Sequence, residues 1–87
     1  MTEKELETKS SSFARARGWL TFKFNSMSQR GVPDRLFFRN SILLIVEFKA
    51  PGKKPTKLQE VIHKRFRDHG FDVHVIDNLD QAKRILQ

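Results

Sequence analysis

Eighty-seven residues, with 17 Lys and Arg against 10 Asp and Glu, give a net charge of +7 on a chain that has eight Phe, one Trp and no Cys. That length allows one hydrophobic core, a thin one that association with a second copy would help, and the missing cysteines exclude a disulfide framework, a thiolate metal site and thiol nucleophiles. The positive charge points to a polyanionic partner, nucleic acid ahead of a membrane surface or mere solubility, because a positive field and counterion release both favour polyphosphates.

Residues 3–17 read as a helix: Glu3, Glu5 and Glu7 in its first turns and Arg15 and Arg17 near its end follow the helix dipole, and Gly18 stops it. Its apolar face is weak, with serines at 10 to 12 beside Leu6, Phe13, Ala14 and Ala16, so it leans on a sheet. "WLTFKF", 19–24, alternates as a strand does, and a polar loop follows to Val32. "DRLFFR" and "SILLIVEFKA" read as two strands of a hairpin about Asn40-Ser41, the second apolar on both faces as a central strand is. "PGKKP" breaks the strand, and Thr56 opens a helix to about His69, with Leu58, Ile62 and Phe66 at helical spacing and Gly70 at its end. "FDVHVI" is a short strand and "NLDQAKRILQ" a closing amphipathic helix. The predicted order αβββαβα is a mixed α/β fold in a single domain, 1–87. Neither a signal-peptide core nor a membrane-length apolar run is visible, so a soluble protein is expected, with no membrane role.

A two-residue turn at Asn40-Ser41 puts Asp34 directly across from Glu47, on one face, with Cβ atoms roughly 4.5–5.5 Å apart. Two carboxylates so placed repel and call for a cation between them. Strand period adds Lys49 to the same face, beyond Leu43 and Ile45. Asp34 and Glu47, with the main-chain carbonyl of Phe48 as a further ligand, suit a hard divalent ion, Mg²⁺ or Mn²⁺. Such an ion neutralises a scissile phosphate and activates water, and Lys49 would orient that water or stabilise the developing charge. The same residues also admit a plain structural reading: Asp34 caps a turn after Pro33, and Glu47 pairs with Lys49 or Arg35.

"GVPDRLFF" followed by "IVEFKAPGKKPTKLQ" resembles the VRR-NUC (virus-type replication-repair nuclease) branch of the PD-(D/E)xK nucleases, in its short stand-alone form common in phages. The likeness runs from Glu7 through the final strand. It implies a mixed sheet flanked by helices, a Mg²⁺- or Mn²⁺-dependent endodeoxyribonuclease acting on structured DNA, Holliday-junction cleavage by a homodimer, and a phage or bacterial host cytosol. Carried over by residue, the motif acids are Asp34 and Glu47, the motif lysine is Lys49, the helix amide is Gln59 and the first-helix glutamate is Glu7, with Glu3 and Glu5 nearby as alternatives. Thr56 to Gln59 is equally a capping box, which leaves Gln59 with two readings.

Lys53, Lys54 and Lys57 on one side of the acids, and Arg30 and Arg35 on the other, read as DNA-backbone contacts. Lys23 is a further candidate to face the site. His63, His69 and His74 form no metal pattern and are expected at solvent or the core edge, and most aromatics in the core or a dimer contact. With no phosphate-binding glycine loop, ATP use is not expected. Two other readings fit the same pattern: a non-catalytic nucleic-acid-binding module, and a nuclease for RNA, nicked or flapped substrates.

Overall fold

The computed structural model describes residues 1–87. Helix α1 spans Glu3–Ala16, β1 Leu20–Lys23, β2 Arg35–Arg39, β3 Ile42–Phe48, α2 Lys57–Asp68, β4 Val73–Ile76 and α3 Leu79–Ile85, the order expected. The four strands make one sheet in the order β1-β2-β3-β4: an antiparallel meander of three, with β4 parallel to β3. A parallel neighbour needs a crossover, and α2 is that crossover. No helix is long and apolar enough to cross a membrane.

Asn40 and Ser41 both take positive φ, 51° and 66°, the type I′ pattern whose twist suits a two-residue hairpin. The register then runs from Arg39 opposite Ile42 to Arg35 opposite Val46. Beyond Arg35 the ladder slips by one residue: the Asp34 N–H also donates to the Val46 carbonyl, at 2.9 Å, and the Phe24 N–H donates to the Asp34 carbonyl at 2.8 Å. Asp34 is thereby fixed just outside β2, next to the peptide that leads from Val46 to Glu47.

Alternation along the strands gives the sheet two unlike faces. Thr21, Phe37, Leu44 and Val46 share the face turned to α1 and α3, where Phe37, Val46, Phe48 and Ile76 pack with Leu6, Ala14, Trp19, Ala82 and Leu86 as the core. Trp19 Nε1–H donates to the Leu86 carbonyl at 2.9 Å. The Arg39 guanidinium lies 4.1 Å from the Trp19 ring centroid and donates to the carbonyls of Arg17 and Gln87, tying the end of α1 to the end of the chain. Ser10 and Ser11 are buried on α1, with hydroxyls that find no partner; small side chains there let α1 approach its neighbours closely.

On the opposite face Leu20, Phe38 and Leu43 form one row, and Phe22, Leu36, Ile45 and Val73 another. Helix α2 covers the Ile45 end, burying Ile45 and Ile62, and leaves Leu20 and Phe22 on the edge strand 54% and 57% exposed. The approach of α2 depends on Gly31, at φ 83°: a Cβ there would lie 2.9 Å from Leu58 Cγ and 3.4 Å from Ile62 Cγ1. Glycine alone meets both demands. It thereby locks the segment leading into Asp34 against the helix that carries His63.

Candidate metal centre

Three carboxylates converge at the end of the sheet where β3 leaves it. One oxygen from each of Glu3, Asp34 and Glu47 lies within 4.8 Å of the other two. Asp34 is held by its backbone bonds to Val46 and Phe24 and by its side chain, whose Oδ2 accepts the Phe48 N–H at 2.7 Å. The Phe48 side chain faces the core and is fully buried, so its peptide is a fixed bridge between the two acidic positions. Glu47 is 1% exposed, and His63 Nε2 is 3.3 Å from its Oε1. Lys49 follows two residues on, half-buried.

This geometry is unfavourable to the anions that make it. Burial pushes the Glu47 carboxyl up to about 8, and the hydrogen bond and repulsion from Asp34 and the Glu3 charge act in the same direction, with Lys49 pulling the other way. A buried cluster of acids with too little positive charge is what a divalent cation relieves. The donor set, carboxylate oxygens close enough to share one ion, fits Mg²⁺ or Mn²⁺ and not a soft metal.

The geometry places several of the expected site residues away from the acids. Glu7 does not join the cluster: its Oε2 is 2.8 Å from Arg35 Nε and 3.4 Å from Lys23 Nζ. Glu3, one turn earlier on the same helix face, takes the place expected of it, because the acidic end of the sheet lies under the first turn of α1. Arg35 in turn is no free phosphate contact. Its side chain is mostly covered and is neutralised by Glu7, and it faces the α1 side of the sheet, opposite to Asp34. Lys23 likewise serves Glu7 and not the acids.

The remaining candidates divide by surroundings. Arg30, Lys53, Lys54 and Lys57 are exposed and have no acidic partner within ion-pair distance. The loop bearing Lys53 and Lys54 is pinned beside β4 by the Gly52 N–H, which donates to Asp77 Oδ2 at 3.2 Å. Gln59 makes the full capping box: its Oε1 accepts the Thr56 N–H at 2.9 Å while Thr56 Oγ1 accepts the Gln59 N–H at 3.2 Å. His63, expected at solvent or the core edge, is instead buried against Glu47. The signal was present in its spacing, since i+4 from Gln59 puts it on the helix face that leads to the site.

No family model matches the sequence. A solved structure described as a VRR_NUC domain has the same fold with a TM-score of 0.87 and 26% identity, covering 98% of this chain and 95% of that one. The chain belongs to the VRR-NUC family of nucleases. In sequence it is similar to "Putative nuclease p44" of Acyrthosiphon pisum secondary endosymbiont phage 1, 42% identical over 79 residues that make up 90% of this chain and 85% of the phage protein.

Proposed function

We propose that the protein is a Mg²⁺- or Mn²⁺-dependent endodeoxyribonuclease for branched DNA, acting on four-way junctions as a homodimer, without ATP, in the cytosol of a phage's bacterial host. The observation that carries this reading is the three-carboxylate cluster of Glu3, Asp34 and Glu47, with its raised Glu47, beside Lys49. Asp34 and Glu47 would hold the ion, joined by Glu3 and the Phe48 carbonyl. The bound cation supplies Lewis-acid neutralisation of the scissile phosphate and a water of lowered pKa.

The chain's own groups account for the other requirements. Asp34, fixed by the Phe48 N–H, would help hold the ion with little reorganisation. Lys49 carries the positive charge nearest the acids, where it orients the attacking water or stabilises the negative charge that grows on the phosphate. Arg30, Lys53, Lys54 and Lys57 offer unpaired cations to the DNA backbone and set its register without reading sequence. Symmetric resolution of a junction takes two opposed cuts, and each chain holds one cluster, which is the chemical argument for a dimer.

Incubation with a labelled four-way junction in Mn²⁺ tests the proposal. Wild type is expected to cut, and Lys49→Ala and Glu47→Gln to lose cutting by at least about a hundredfold, while Glu47→Gln still binds the junction in EDTA as tightly as wild type, since Gln matches the neutral form that Glu47 holds without metal. Equal trace cleavage by wild type and Lys49→Ala would defeat it. Salt-dependent binding that is indifferent to Mn²⁺ would make the protein a binding module. Faster cutting of RNA, nicked or flapped substrates would reassign the substrate.

A further inference from the structure

Behind Glu47 stands a buried imidazole. His63, on α2, is 4% exposed, and its Nε2 is 3.3 Å from Glu47 Oε1. The ring is not one of the three carboxylate-bearing side chains that meet within 4.8 Å, and its contact with the group is through Glu47. Burying an imidazole without a polar partner is unfavourable, and the side chain opposite it is the Glu47 carboxylate. A plain apolar residue would fill that place on α2 at lower cost, as Ile62 does next to it.

We infer that His63 is the positioning residue of the metal centre: its ring donates Nε2–H to Glu47 Oε1 and holds the carboxylate so that it faces Asp34 and Glu3. This rests on the metal-dependent reading above. A glutamate side chain has three rotatable bonds, and in a cluster of like charges its carboxylate is driven to turn away. One hydrogen-bond donor against Oε1 fixes it, as hydrogen-bonded partners of ligating carboxylates do. The contact also joins α2 to β3 at the point where Gly31 fixes the distance between them. The frame that sets Asp34 thus sets Glu47 as well.

The test compares His63→Gln, which keeps a donor of similar reach, with His63→Met, which has none. The readout is Mn²⁺ affinity by calorimetry on DNA-free protein, together with junction binding in EDTA. His63→Met is expected to weaken Mn²⁺ binding about 10- to 100-fold and to leave junction binding in EDTA unchanged, and His63→Gln to restore most of the loss. Independently of any variant, the ring nitrogen chemical shifts of wild type are expected to show the Nε2–H tautomer when Mg²⁺ is bound and Glu47 is ionised. Unchanged Mn²⁺ affinity in His63→Met, no restoration by His63→Gln, or an Nδ1–H tautomer would each overturn the inference while leaving the nuclease reading intact. A wild type that binds neither Mn²⁺ nor Mg²⁺ would remove both.

Discussion

In the metal-free protein Glu47 keeps its proton far above the ordinary carboxylate range, up to about 8, because burial penalises its anion, its protonated form donates a hydrogen bond to Asp34, and neighbouring negative charge repels the anion. The sign of the consequence follows from linkage: the folded state binds a proton that the unfolded chain has released above about 4.5, so stability falls as pH rises from there to about 8 and levels off beyond. His63 has the opposite tendency, but its value lies below 6.5, so it no longer contributes above neutrality. Thermal unfolding in EDTA is therefore expected to show a lower midpoint at pH 8.5 than at pH 7. Glu47→Gln should remove that slope, and saturating Mn²⁺ should abolish it by taking the proton's place. Matching slopes for wild type and Glu47→Gln in EDTA would show that the cluster is not strained in the manner described.

At the scale of elements, the hairpin and its acids were legible because two strong local rules agree. A two-residue turn sets the register from Arg39 to Arg35, and the strand period puts Glu47 and Lys49 on one face, while Asp34 lies just past the paired residues, where the ladder slips by one. Helix α1 carries no such anchor. Glu3 and Glu7 share one face, both suit a helix start on dipole grounds, and only the length of sheet beneath them decides which reaches the acids. Ser10 and Ser11 were opaque for a related reason, since their burial reflects how close α1 comes to its neighbours and not their polarity. Arg35 misled because a cation next to the motif aspartate points to the other face of the same strand. The assignment along α1 predicts a clean division. Glu3→Gln is expected to weaken Mn²⁺ binding roughly tenfold, since affinity in such sites follows the number of charged ligands, with little effect on folding. Glu7→Gln should leave Mn²⁺ affinity alone and destabilise the fold by about 1–3 kcal/mol, the range for a charged hydrogen bond such as Arg35 loses. Calorimetry and urea unfolding on the two variants measure both quantities, and the reverse pattern would return Glu7 to the metal.

At the scale of the molecule, the sheet is finished on one face only. Helices α1 and α3 close one side, whereas on the other α2 stops short of the edge strand and leaves Leu20, Phe22 and Leu43 in the open beside the half-buried Phe38. Contiguous apolar surface of this kind marks an interface in a small protein, and an edge strand left bare is a liability that a partner removes. Under the proposed junction cleavage, a second copy would be the occupant that also supplies the second cut. Two chains of +7 repel each other, so the contact has to be driven by apolar burial, and added salt should strengthen it even as salt weakens DNA binding. Sedimentation of wild type at micromolar concentration is expected to give twice the chain mass. Phe22→Asp should give the single-chain mass and an unfolding midpoint independent of protein concentration, whereas the wild-type midpoint should rise with concentration. The variant should keep its Mn²⁺ affinity and leave junctions with one nick in place of paired cuts. A wild type that sediments as one chain, alone and on a junction, would mean that the open face serves something other than a second copy and that paired cutting needs another explanation.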